Sequence, residues 1–185
     1  MKVGASIIFD HNGIPTIQAP NDFDAMLAEG YVTARYRLLE MDLERRLGEG
    51  TLSAIVDSAA LGSDELQLGL GLQRTAKAEW NSLAHNSALR SRLLAYSDGI
   101  NLAISYLEGH NELPAPMRLL DYRPAPWTPV DTLVVQGDLS ERLDYTTTPA
   151  DAALLSSSLG PTRTAAWFLT KPLTSQATYD PARTE

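Results

Sequence analysis

From Asn21 to about Leu47, apolar residues recur at spacings of three and four: Phe23, Leu27, Tyr31, Ala34, Leu38 and Met41. That period is helical and draws one continuous apolar stripe, so the fold must bury a long helix along its length. Asn21 or Asp22 is placed to cap its start, and Gly48 with Gly50 to end it. The last turns, Glu40 to Arg46, alternate in sign, with Asp42 one turn before Arg45 and Arg46. One reading is a solvated face whose pairs contribute about 0.2–0.5 kcal/mol each. The other is a buried polar network of Arg35, Asp42 and Arg46 beneath a site. The spacing accommodates both.

A β-hairpin is expected ahead of this helix, over residues 2–19. Val3 to Phe9 is β-rich and Ile14 to Ala19 is a second short extended run. Between them Asn12-Gly13 supplies a pair that tolerates positive φ. Pro15 lacks an N–H, which places the second strand at a sheet edge. After the long helix, a second is expected from Ser63 toward Leu83, weakened by Gly69 and Gly71. A third carries Leu89, Leu93, Tyr96, Ile100, Ile104 and Leu107 on one face and ends at Gly109. Residues 113–126 hold four prolines and read as an ordered, non-helical connection.

Two further helices start alike. Thr128-Pro129-Val130-Asp131 and Thr148-Pro149-Ala150-Asp151 each place Thr at the N-cap, Pro at the first helical position and an acid two residues later. The first is expected to reach Leu143 and the second Leu159, where Gly160-Pro161 stops it. The first is apolar on two sides. Val130, Leu133, Val134 and Gly137 gather on one, and Val135, Leu139 and Leu143 on the other, beside Arg142. Such a helix is buried between layers or covers a cavity. Residues 161–185 are polar except around Trp167-Phe168-Leu169, which must pack on the helices or on another chain.

The residues exclude several functions. Fifteen Lys+Arg against 23 Asp+Glu give a net charge of −8, against a nucleic-acid footprint. No apolar run is long enough to span a bilayer. The absence of cysteine removes disulfides, zinc-thiolate sites and cysteine nucleophiles from this chain. His11, His85 and His110 have no partner at metal-binding helical spacing and read as surface residues. Gly69-Leu70-Gly71 sits in a helical stretch, so it is no phosphate loop. No nucleophile elbow or Walker motif occurs. The residues alone describe a mainly α fold with an N-terminal hairpin and no self-contained catalyst.

Several blocks point further. Ile8-Phe-Asp-His-Asn-Gly-Ile-Pro-Thr-Ile-Gln-Ala19 is followed by Ala28-Glu-Gly-Tyr-Val-Thr-Ala-Arg-Tyr-Arg-Leu-Leu-Glu-Met-Asp-Leu-Glu-Arg-Arg46. Gly50-Thr-Leu-Ser53, Tyr96-Ser-Asp-Gly-Ile-Asn101 and Tyr122-Arg-Pro-Ala-Pro-Trp-Thr-Pro-Val-Asp131 come after them. In this order they resemble the α chain of penicillin acylases, N-terminal-nucleophile hydrolases. The resemblance implies a precursor that cleaves itself into α and β chains, which together form an αββα fold. The nucleophile would be the first residue of β, usually serine, with its own α-amino group as base. No catalytic residue is then expected in this chain.

What the resemblance gives to this chain is one wall of an acyl pocket. Leu139 and Leu143 would line it, and Arg142 would stand at its mouth and orient the leaving portion. Leu143 stands where the family has an aromatic, which removes ring stacking on a phenylacetyl group and makes a linear or branched aliphatic acyl group a competitor. The family's calcium site takes one carboxylate near the last helix. Here Pro149 falls at that position, leaving Asp151 or Asp144 as candidates. The family also implies a periplasmic or secreted location, with a signal removed before Lys2 or Val3. On this basis residues 1–160 form the helical region with its hairpin, and 161–185 a tail packing on an obligate β chain. No cofactor is needed for the chemistry, and structural calcium is a possibility. Alternatives are a cephalosporin or acyl-homoserine-lactone acylase of the same superfamily, or a non-catalytic helical binding module.

Overall fold

The computed structural model of the protein describes residues 4–144 and 148–167. The chain divides into two units, 1–143 and 144–185.

In the first unit, β1 (Ser6–Phe9) and β2 (Pro15–Gln18) form an antiparallel hairpin with Ser6 opposite Gln18 and Phe9 opposite Pro15. The Asp10 side chain accepts from the amides of Asn12 and Ile14 at 2.9 and 2.8 Å, and Gly13 takes φ +77°. The turn is therefore built where Asn-Gly placed it, with shorter strands than expected.

Helix α1 (Asp22–Glu49) realises the long apolar stripe. Asn21 caps it, its side chain accepting from the Asp24 amide at 2.9 Å, and Gly50 ends it in the left-handed region. The helix leaves regular geometry once, at Arg37. Its principal partner is α5 (Ala88–Gly109), whose Ile100, Ala103, Ile104 and Leu107 are buried with Ala34 and Leu38 of α1. Two glycines permit the crossing: a Cβ on Gly30 would strike the Tyr96 carbonyl, and one on Gly99 the Leu27 carbonyl. Of the α5 stripe only Leu89, at its first turn, is exposed.

Between these helices lie α2 (Ser53–Val56), a 3₁₀ turn (Asp57–Ala60), α3 (Leu61–Leu70) and α4 (Leu72–Ser82). The single helix expected from Ser63 to Leu83 is thus two. Gly71 adopts φ +74° and donates its N–H to the Gln67 carbonyl at 2.9 Å, closing α3 as a left-handed cap. Asp64 on α3 accepts from the Leu52 and Ser53 amides, both at 2.9 Å, which ties α2 to α3.

The proline-rich segment also differs from expectation, since it contains α6 (Ala115–Leu119). Pro114 precedes this helix and Pro116 lies in its first turn, where amide hydrogens have no intrahelical partner and proline costs little. Its Met117 is fully buried in the main core beside Trp127.

Helix α7 (Pro129–Asp144) follows. The expected cap is formed: the Asp131 carboxylate accepts from the Thr128 amide at 2.7 Å and the Thr128 hydroxyl at 3.1 Å. Both of its apolar sides are used. Leu133 and Val134 are buried with Ala76 of α4, while Val135 packs on the α1–α5 core.

In the second unit, α8 (Thr148–Leu159) opens on Thr148 itself and stops at Gly160, with φ +81°. A further helix, α9 (Pro161–Trp167), packs against it. The start of the expected polar tail is therefore helical. Proline at its first position is again tolerated there. Helices α8 and α9 thus pack on one another within one unit. The expected Trp167-Phe168-Leu169 contact lies outside the described residues.

Candidate functional site

A cleft of about 360 Å³ opens where α1, α5 and α7 meet. Its floor is apolar: Met41 from α1, Tyr96 from α5, Trp127 from the proline segment, Val135 and Leu139 from α7. Thr132 adds a hydroxyl, which accepts from the Trp127 indole N–H at 2.9 Å. Arg37, Glu40 and Glu44 contribute the charged part of its lining.

Trp127 is fixed from several directions. Asn101 donates its side-chain N–H to the Trp127 carbonyl at 2.8 Å and accepts from the Trp127 amide at 2.7 Å. Arg45 stacks over the indole at 5.1 Å and donates to the carbonyls of Ala125 and Pro126 at 3.3 and 3.4 Å. Those carbonyls belong to a proline-interrupted strand of chain with no ladder to join, so a guanidinium satisfies them.

The acid that holds the two arginines is Asp42, only 1% exposed. It pairs with Arg45 and, at 2.9 Å, with Arg46, which lies 3.2 Å from the Tyr122 hydroxyl and stacks over its ring. Of the two sequence readings, the buried network is therefore the observed one for Asp42 and Arg46. Arg45 joins it in place of Arg35, which pairs with Glu112 at 2.5 Å.

Leu139 lines the cleft and is 44% exposed. Arg142, one turn on, pairs with Glu44 of the lining and approaches Asp138 to 2.8 Å. Leu143 is 85% exposed and does not line this cleft. Asp138 is fully buried, and neither carboxylate oxygen has a hydrogen-bond partner among the described residues. Burial raises its pKa above the ordinary carboxylate value; Arg142 opposes this, while Glu44 and Glu141 add to it.

The sequence offered weak signals for the remaining residues. Tyr96 and Trp127 stood within the resembling blocks, but Asp138 had only its one-turn spacing from Arg142. His11 and His110 are exposed; His110 stacks on Tyr106. The Asp151 side chain is exposed in the first turn of α8, and that of Asp144 lies outside the described residues. Among the described residues no three His, Asp or Glu gather to hold an ion. Calcium takes about six to eight oxygens, so the described part of this chain does not fit it alone.

A sequence model of the penicillin amidase family matches residues 4–177. The penicillin acylase 2 proenzyme of Pseudomonas sp. (strain SE83) is 32% identical over 123 residues, 66% of this chain and 15% of that protein. The acyl-homoserine lactone acylase QuiP of Pseudomonas putida is 30% identical over 124 residues, again 66% and 15%. Penicillin G acylase of Escherichia coli is 27% identical over 161 residues, 83% of this chain and 18% of that protein. The chain thus spans about 15% of the length of the first two relatives. In structure it is similar to a chain of the thermostable penicillin G acylase from Alcaligenes faecalis. The TM-score is 0.70 at 23% identity, covering 95% of this chain and 96% of that one, so the two share a fold. With nearly its whole length matched by the family's sequence pattern and its fold shared with a solved acylase, the chain belongs to the penicillin amidase family.

Proposed function

We propose that this chain is the α chain of a heterodimeric amidohydrolase that cleaves the side-chain amide of N-acyl compounds, β-lactam antibiotics or similar. The observation that carries the reading is the cleft: apolar walls from Met41, Tyr96, Trp127, Val135 and Leu139, a charged rim, and a volume in the range of small-molecule sites. Leu139 forms part of the acyl wall. Leu143, exposed on the same helix, meets the acyl group or the partner once the β chain closes over it. Arg142 stands at the mouth.

The bond-breaking group belongs to the β chain. Its N-terminal hydroxyl attacks the amide carbonyl, its α-amino group takes the proton, and its own donors hold the oxyanion. The amine departs, and water releases the acyl group. The two chains come from one precursor and together form the αββα fold, in the periplasm or secreted. Any calcium is held mainly by β, with Asp144 or Asp151 as candidate ligands from this chain.

The test is expression of the full coding sequence, purification of the assembly, and assay with phenylacetyl, phenoxyacetyl and fatty-acyl chromogenic amides. The expected result is hydrolysis by the assembly and none by this chain alone. Hydrolysis by the isolated chain, or a native assembly lacking a second polypeptide, overturns the proposal. A coding sequence that ends at Glu185 would instead favour a non-catalytic helical binding module.

A further inference from the structure

Helix α1 lines two hollows in succession. One is the cleft, to which it gives Arg37, Glu40, Met41 and Glu44. The other is a groove of about 590 Å³ between the same helix and the hairpin. Its walls are Val32, Thr33 and Tyr36 from α1, with Phe9 and Pro15 from the strands. The Phe9 and Tyr36 rings meet edge to face, 5.7 Å between centroids. Arg37 lines both hollows and is the charged residue of the groove. It is also where α1 leaves regular helical geometry.

Charge separates the two hollows. In the cleft Glu40 and Glu44 share the lining with Arg37, whereas among the described residues no acid lines the groove. A cation set among apolar walls, in a chain of net charge −8, complements a ligand with an apolar body and a carboxylate. Arg37 pairs with Glu40 at 2.9 Å, but both side chains are 65% exposed, and such pairs contribute about 0.2–1 kcal/mol. A substrate carboxylate can therefore take the place of Glu40. Arg142, the cation first expected to orient the leaving portion, is by contrast engaged by Glu44 and by buried Asp138.

We infer that the groove is the subsite for the amine portion of the substrate, and that Arg37 binds the carboxylate of that portion while the acyl group occupies the cleft. This rests on the proposed acylase function and deepens it, since the amine portion of a β-lactam antibiotic is a compact fused ring system bearing a carboxylate. Thr33 of the groove and Met41 of the cleft are about 12 Å apart along α1, at about 1.5 Å per residue. One N-acyl amino acid spans that length, with its amide at the level of Arg37. Phe9 and Tyr36 supply the apolar wall for the ring system.

The experiment uses the assembled enzyme and two substrates sharing one acyl group, an N-acyl amino acid and its carboxamide. We expect wild type to hydrolyse the carboxylate form with the higher kcat/KM. Arg37→Gln should lower that preference about five- to tenfold, through KM for the carboxylate form, and leave the carboxamide unchanged. Raised salt should increase the wild-type KM for the carboxylate form and have no such effect on the variant. Arg37→Lys should restore part of the preference, and Glu40→Gln should strengthen it. Tyr36→Ala should raise KM for a bicyclic amine portion more than for a glycine one. Equal losses on both substrates in Arg37→Gln would mark a structural role and overturn the inference. So would a carboxylate preference that survives Arg37→Gln and is abolished by Arg142→Gln, with the acylase reading left intact. Dissociation of the assembly on Tyr36→Ala, with KM unmoved, would mean that the β chain fills the groove, and overturns it too. Hydrolysis of neither substrate overturns the acylase reading and this inference with it.

Discussion

Replacing Gly99 by Ala tests the packing that places the cleft walls. A Cβ there would lie 2.8 Å from the Tyr31 amide nitrogen and 2.9 Å from the Leu27 carbonyl carbon, with the carbonyl oxygen nearer still. Ordinary Cβ contacts begin at 3.4 Å, so α1 and α5 must part by at least 0.6 Å (3.4 − 2.8), and by more at the carbonyl oxygen. Backbone blocks the methyl, and no side chain can swing aside. A gap of about 0.5–1 Å forfeits a quarter to a half of each dispersion contact across the crossing, where Leu38, Ile100 and Leu107 are buried. Overpacking of this kind costs about 1–3 kcal/mol, against which helix propensity returns about 1. The net cost of up to about 2 kcal/mol lowers the expected melting temperature by up to roughly 8 °C. Gly69→Ala is the control: nothing lies within 4 Å of that Cβ and φ is not positive, so propensity acts alone and the melting point should rise. Thermal melts followed by circular dichroism read both. Equal signs for the two variants would refute the reasoning.

Other outcomes follow from the buried polar groups. Asp42→Ala leaves Arg45 in the core with only Asp131, at 3.5 Å, as a carboxylate partner and loosens Arg46, so stability should fall by as much as about 3–5 kcal/mol in urea titration; a change under 1 would contradict the network. Burial pushes the Asp64 pKa up, but hydrogen bonds from Ser53 and Leu52 outweigh it, and the group titrates below the ordinary carboxylate value. Its stabilisation is therefore complete above that ordinary value and is lost as pH falls through the lowered one. Asp64→Asn should cost about 1–3 kcal/mol at neutral pH, and the difference from wild type should shrink on acidification; a constant gap would contradict the linkage. Asn101→Ala frees both backbone ends of Trp127 and should quench or shift tryptophan fluorescence while raising KM for acyl amides in the assembly. Leu143→Phe should raise phenylacetyl turnover relative to aliphatic turnover, and an unmoved ratio would remove Leu143 from the acyl site.

The features that could be read in advance were those determined within a few residues. The Asn-Gly turn, the Asn21 and Gly50 caps and the Thr128–Asp131 box each close on themselves. Gly71 shows where local reading stopped short: its destabilising effect was foreseen, but its left-handed cap, which ends α3 outright, depends on the chain turning there. Asp42 is the sharper case. Its charge pattern suits a solvated face, and only the return of Tyr122 to Trp127, some 80 residues later, covers it. The cleft belongs to the same class, because its walls come from α1, α5, the proline segment and α7, which no periodicity links. On α7 the two apolar sides were visible, and both are explained by a helix that first joins two cores and then runs past the end of one. There its second side opens as the cleft, at Leu139, and the next turn carries Arg142. The polar residues of that turn need no core to satisfy them, so Arg142 finds Glu44 and Asp138, and the same geometry that opens the cleft sets the charge at its mouth.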